Sequence, residues 1–130
     1  MRVLLALAAS VLMLSACAPA TTVEPIQTEE LVSPLPFREA FTAAVNAINT
    51  QPYPSDSGGW IITDSDQVGG FVSAQLNGSR CVFLGCYPYM AQVSVAFIER
   101  SDGTTAVNIS VNRHEEAAKL ADSIRQRLQL

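Results

Sequence analysis

Two runs of alternating apolar and polar residues, separated by Ser101-Asp102-Gly103, constrain the fold of this chain most strongly. In residues 90–100 and 104–112, Val, Ile and Phe recur at every second position, which is the period of a strand with one buried face. A three-residue hairpin loop with glycine in the left-handed position pairs Arg100 with Thr104. Both apolar sets then lie on one side of the sheet, whereas a shift by one residue would separate them. The predicted apolar pairs are Phe97 with Val107, Val95 with Ile109, and Val93 with Val111.

Two other segments have the 3.6-residue apolar period of amphipathic helices. The first is predicted over 35–49, with Ser33 as its cap. The second is predicted over 113–128, with Asn112 as its cap. The apolar face of the first helix contains Phe37, Phe41, Ala44, Val45 and Ile48. The apolar face of the second contains Ala117, Leu120, Ala121, Ile124 and Leu128.

Two more strands are predicted over 59–65 and 71–76, and Asn77-Gly78 is predicted to be a turn that opens a long connection. The expected order is therefore α-β-β-β-β-α. It predicts a two-layer α+β fold in which a four-stranded antiparallel meander packs on two helices. This architecture, with Gly59-Trp60 opening the first strand, resembles small domains of envelope lipoproteins, including accessory subunits of the outer-membrane protein assembly machine. The resemblance implies no residue roles.

The amino terminus has the features of an export signal. Met1-Arg2 precedes about 12 mostly apolar residues, too few for a membrane-spanning helix, which needs about 20. Residues 14–17, Leu-Ser-Ala-Cys, match the lipobox at all four positions, so this segment resembles the precursors of bacterial lipoproteins cut by signal peptidase II. The resemblance implies cleavage before Cys17 and a diacylglyceryl thioether on its sulfur. Ala18, rather than Asp, implies sorting to the outer membrane, facing the periplasm. The alternative is an ordinary secretory peptide in which Cys17 is incidental.

These features divide the chain into three parts. Residues 1–16 are expected to be the signal peptide, residues 17–33 the acylated cysteine and a flexible tether, and residues 34–130 a single α+β domain. Loss of Arg2 with the signal leaves seven basic and 12 acidic side chains, a net charge of −5. Because no basic run occurs, nucleic acid is not an expected partner. The expected partners are the membrane, through the lipid, and an envelope protein.

Cys81 and Cys86 are the two cysteines that remain once Cys17 carries a lipid. An exported protein resides in an oxidising compartment, so the pair is predicted to form a structural disulfide. Two alternatives stay open: free thiols, or a metal or redox site. The spacing is not the C-x-x-C of redox catalysts, and a zinc site would need two more ligands from a chain with one histidine.

No set of acid, base and nucleophile emerges from the sequence. His114 is the only histidine and falls near a helix start. The motifs G-x-S-x-G, the phosphate loop and H-E-x-x-H are absent from the sequence. Asp64 and Asp66 could form a carboxylate pair on one strand face, but they border a turn, where aspartate is common. The sequence therefore predicts no enzyme, no metal and no cofactor.

Apolar and aromatic residues around the two cysteines form a candidate partner-binding surface. Exposed apolar patches and aromatic anchors are typical of protein interfaces. The alternative is that Phe83 and Trp60 fill the core. The candidate residues are Val82, Phe83, Leu84, Tyr87 and Tyr89.

Two functional hypotheses follow. The first is a lipid-anchored, non-enzymatic binding or accessory module of the cell envelope. The second is a carrier that holds a hydrophobic ligand between the sheet and the helices, which requires an apolar cavity of a few hundred Å³. Ala44, Ala117 and Ala121 are small and would leave some of that room.

Overall fold

The computed structural model describes residues 26–130. The predicted signal peptide, Cys17 and residues 18–25 of the predicted tether lie outside the described residues. Within residues 26–130, no helix is both long enough and apolar enough to cross a membrane. The elements in chain order are β1 Gln27–Ser33, α1 Phe37–Thr50, β2 Ser57–Asp66, β3 Phe71–Val82, β4 Gly85–Glu99, β5 Thr105–Val111 and α2 Glu115–Arg127.

The strands form one antiparallel sheet in the order β1-β5-β4-β3-β2, and both helices pack on the same face of it. The predicted α+β class with two layers is confirmed. The predicted count of four strands is wrong, because a fifth strand, β1, precedes α1.

Strand β1 arises from residues that the sequence placed in the flexible tether. All seven of its residues pair with β5, from Gln27 opposite Val111 to Ser33 opposite Thr105. The strand lies at the edge of the sheet, and three of its four inward side chains, those of Gln27, Glu29 and Ser33, are polar, so little apolar alternation is visible. Its inward Glu29 accepts hydrogen bonds from Arg125 on α2, at 2.8 Å from Nε. The folded domain therefore extends to Gln27 and does not begin at residue 34.

The hairpin of β4 and β5 confirms its predicted register. Phe97 lies opposite Val107, Val95 opposite Ile109, and Val93 opposite Val111. The Arg100 amide donates to the Thr104 carbonyl oxygen at 2.9 Å. Gly103 has φ +83°, the left-handed conformation that the loop requires.

The predicted turn at Asn77-Gly78 is wrong, because β3 continues through these residues to Val82. Gly78 lies opposite Tyr89 on β4, and the Tyr89 ring covers the position that a Cβ atom would occupy. This glycine therefore serves close packing of an aromatic ring rather than a change of chain direction.

The core lies between the sheet and the helices. The Phe97 ring contacts the rings of Phe37 and Phe41 edge to face, with centroids 6.5 and 5.7 Å apart. Small residues on both helices allow close approach to the sheet. The buried apolar residues of the helices are Ala40, Phe41, Ala44, Ala47, Ile48, Ala117, Leu120, Ala121, Ile124 and Leu128.

Both helices start two residues later than predicted, and neither has its predicted cap. No side chain caps α1, and the Ser33 hydroxyl instead accepts from the Leu35 amide and donates to the Leu128 carbonyl oxygen at 2.7 Å. The cap of α2 is His114, whose Nδ1 accepts from the Glu116 amide at 3.1 Å. Asn112 bonds to β4 through the Met90 carbonyl oxygen at 2.8 Å. Ser33 and Asn112, the predicted caps, therefore form hydrogen bonds to other parts of the domain instead.

Substitution of Ser33 tests whether β1 is part of the folded domain, because the Ser33 hydroxyl is buried between β1 and the end of α2. Substitution Ser33→Ala leaves the Leu128 carbonyl oxygen without this donor, and we expect it to lower the free energy of unfolding by about 1–3 kcal/mol. Thr28→Ala is the matched control, since Thr28 bonds only to the exposed Ser110 hydroxyl on the neighbouring strand. We expect a change within about 0.5 kcal/mol for the control. Equal effects in urea unfolding would contradict the docking of β1 described here.

Candidate functional site

The hairpin of β3 and β4 extends past the rest of the sheet. Strand β5 pairs with β4 no closer to its start than Val93, and β2 pairs with β3 only as far as Gly78. Residues 79–88 therefore form a two-stranded ribbon, which we call the arm. The arm projects about 14 Å beyond Gly78, given four residues at about 3.4 Å each.

The arm ends in a turn of unusual composition. We call residues 81–86 the tip. Val82 pairs with Gly85, so Phe83 and Leu84 alone make the turn, and neither has a positive φ. Two-residue hairpin turns favour Asn-Gly or Gly-containing pairs, because those residues adopt the positive φ angles that match strand twist. Directly behind the turn, Cys81 and Cys86 lie opposite each other and are joined by a disulfide. Gly85, directly after these two residues, has φ +142°, so the glycine follows the turn rather than lying within it. The disulfide helps to hold together a hairpin whose two central residues are not of the favoured types.

The apolar side chains of the tip face solvent. Phe83 is 103% exposed, Leu84 84% and Val82 53%. No charged residue occurs from Cys81 to Met90. The tip is therefore an exposed apolar surface at the end of a projecting ribbon, and it contributes nothing to the core.

Tyr89 braces the base of the arm against the domain. Its ring stacks on the His114 ring at 4.7 Å between centroids, with 10° between the planes. Its hydroxyl donates to Asp56 Oδ1, and this hydrogen bond is the main reason that the pKa of Tyr89 is raised above its ordinary value. The arm is thereby connected both to the start of α2 and to the loop before β2.

Arg80 makes a second brace. Its guanidinium lies over the Tyr89 ring, 5.7 Å from the centroid, and donates to Glu115 Oε1 at 3.2 Å. The bond from Arg80 is the largest cause that lowers the pKa of Glu115, and the positive charge of Lys119 adds to it. Sequence reasoning missed Asp56, Arg80 and Glu115, because long-range pairs of exposed charges leave no periodic signal.

The predicted partner-binding residues divide into two groups. Val82, Phe83 and Leu84 lie at the tip, and Tyr87 follows them on the arm with 55% exposure. Tyr89 is half-buried at the base, where it packs rather than presents its ring. Trp60 packs against the core, in agreement with the alternative that it fills the core rather than binds a partner.

The other candidate residues have structural roles. Asp66 Oδ1 accepts from the amides of Val68 and Gly69, so it closes the turn between β2 and β3. His114 caps α2 and stacks on Tyr89. Among residues 26–130, no group of three His, Cys, Asp or Glu side chains is placed to hold a metal ion.

The interface between the sheet and the helices is packed with side chains. Ala44, Ala117 and Ala121, the residues expected to leave room for a ligand, are at most 1% exposed. In residues 26–130, grooves of about 390 to 530 Å³ are lined by loops, the exposed sides of the helices and the outer sheet face. The carrier hypothesis stays a prediction, and it requires the two layers to separate.

Neither a protein-family model nor a curated protein matches this sequence. Among solved structures, Ara h 8.0201 has 12% identity and a TM-score of 0.48, over 81% of this chain and 97% of that one. TTHA0849 from Thermus thermophilus has 9% identity and a TM-score of 0.40, also over 81% and 97%. The Zhui aromatase/cyclase from Streptomyces sp. R1128 has 8% identity and a TM-score of 0.35, over 81% and 86%. Likenesses this low carry no conclusion about function.

The disulfide is expected to stabilise the arm more than the core, because beyond Gly78 the two strands of the arm form a ladder only with each other. The arm bonds to the rest of the domain near its base, through the Ser79 amide and the Arg80 guanidinium. Replacing both Cys81 and Cys86 by serine removes a constraint of about 2 kcal/mol on a short loop. We expect faster amide hydrogen exchange within residues 79–88, and unchanged protection of Val95 and Ile109 in the core. Loss of protection throughout the sheet would show that the arm and the core unfold as one unit, contrary to this description.

Proposed function

We propose that this chain is a non-enzymatic accessory module of the bacterial cell envelope. A lipid on Cys17 holds it to the outer membrane, facing the periplasm, and the tip of its arm contacts another component of the envelope. The observation that carries the proposal is the full exposure of Phe83 and Leu84 at the end of a braced ribbon. The lipobox at residues 14–17 supports the anchor.

A turn made of Phe83 and Leu84 has no structural benefit for the isolated domain. Apolar side chains that stay in water gain no hydrophobic stabilisation when the chain folds, and other residue types suit a two-residue turn better. Positions that break local rules without a structural gain concentrate at functional sites. Contact with a partner supplies the missing gain, because it removes these two side chains from water.

The construction of the arm favours binding as well. The Cys81–Cys86 disulfide and the Tyr89 brace hold the tip in one position before contact. A surface that is already ordered loses less conformational entropy on association. The arm is therefore suited to insertion into a neighbouring surface rather than to chemistry. In the described residues, the polar groups around its base pair with one another through Asp56, Arg80 and Glu115.

Photo-crosslinking in intact cells tests the proposed function. A photoreactive amino acid at position 83 should give a crosslinked product, and mass spectrometry of the product should be read for both lipid and protein adducts. We expect the yield to fall in the Cys17→Ser variant, because loss of the anchor removes the tip from its partner.

Val68 supplies the matched probe position, since it is 96% exposed in the turn between β2 and β3, at the end of the sheet opposite the tip. We expect little product from this position at equal expression. Equal yields from positions 68 and 83, or no product from position 83, would contradict docking through the tip.

A further inference from the structure

We propose that the surface contacted by the tip is the lipid bilayer itself, so that the domain has two attachments to one membrane. This inference rests on the proposed anchor at Cys17. Three features support it: the direction of β1, the length of chain before it, and the order of side chains along the arm.

The chain before β1 leaves the sheet at the same end as the arm. Gln27, the first residue of β1, lies opposite Val111, which lies opposite Val93 on β4. Strands β1 and β4 are both antiparallel to β5 and so run in the same direction. The starts of both strands therefore point to one end of the domain, and the start of β4 at Gly85 is the tip. An anchor before Gln27 would therefore be attached at the end of the domain from which the apolar tip projects.

The length of chain before Gln27 matches the reach of the arm. From Val93 to Gly85 is eight residues, about 27 Å, and β1 is offset from β4 by two strand spacings, about 10 Å. The start of β1 is thus about 29 Å from the tip. Cys17 lies ten positions before Gln27 in the sequence. Ten extended steps along the chain span at most about 35 Å, so an acylated Cys17 can lie at the level of the tip.

Side chains along the arm change from apolar to charged in the order of a bilayer profile. Phe83 and Leu84 are at the end, in the position of the hydrocarbon. Tyr87 lies behind the disulfide, where an aromatic ring suits the headgroup layer, and the Arg80 guanidinium reaches back to Glu115 at the base. Asp56, bonded to Tyr89, lies further back at the level of water. A flat protein partner would not require this gradient.

The charge near the arm indicates which lipid surface suits it. Arg80 is paired with Glu115, and no basic cluster occurs in the described residues around the base. The predicted mature chain carries a net charge of −5. Attraction to anionic headgroups is therefore not the driving force, and a zwitterionic phosphatidylcholine surface is the suitable probe.

Quenching of tryptophan fluorescence by brominated phosphatidylcholine vesicles tests the inference. The full chain is purified from cell membranes as Phe83→Trp and, as matched control, as Val68→Trp, with wild type subtracted for Trp60. We expect a blue shift and a loss of emission for Phe83→Trp, and no change for Val68→Trp. Leu84→Trp gives a second reading at the tip.

Vesicle binding of the chain without its lipid gives a second test. In the Cys17→Ser background, Phe83→Asp should weaken vesicle binding about tenfold or more, since one buried phenylalanine is lost.

The outcomes separate this inference from the proposed function. Mass spectrometry of the same preparation reports whether Cys17 carries a lipid. If the acylated chain stays with the vesicles but the emission of Phe83→Trp and Leu84→Trp is not quenched, the tip does not insert into the bilayer. That result would overturn the inference and would still support the lipid anchor at Cys17. Protein adducts from position 83 in cells, without quenching by lipid, would assign the tip to a protein instead. Quenching in Phe83→Trp chain that lacks the lipid would support insertion and overturn the anchor.

Discussion

Pairing between β3 and β4 over twelve register positions is the constraint on which the rest of the structure depends. The inner part of this ladder carries Val72, Val93 and Val95 into the core. The outer part continues without interruption into the arm. Packing of the core therefore fixes the position of Phe83 and Leu84, although neither touches it. A displacement of the register by one residue would expose the core side chains and break the Cys81–Cys86 pair together.

The elements with a strong apolar period, the β4–β5 hairpin and the two helices, could be predicted from the sequence. Val93, Val95 and Phe97, with their partners on β5, determined the register because both strands bury one face and share a short glycine loop. The helices were predicted in type and approximate position for the same reason. Strand β1 was missed since an edge strand buries only one or two side chains, here Leu31 and Ser33, and its pairing depends on a strand about 75 residues later.

The candidate site was predictable in composition but not in shape. The cysteine pair and the apolar run of residues 82–84 could be recognised in the sequence, because cysteines and three consecutive large apolar residues are unusual in a segment predicted to be a loop. Asn77-Gly78 concealed the arm, since this dipeptide normally marks a turn, and here Gly78 makes room for Tyr89. The bracing of Tyr89 by Asp56 and His114 links three separate parts of the chain, and nothing local encodes it.

If the tip serves contact with a partner and not folding, its two apolar side chains should be dispensable for stability. Urea unfolding of the double variant Phe83→Ser, Leu84→Ser measures this. Because both side chains are exposed, we expect a free energy of unfolding within about 0.5 kcal/mol of wild type. A loss of about 2–5 kcal/mol, as expected when large apolar side chains are removed from a core, would contradict it.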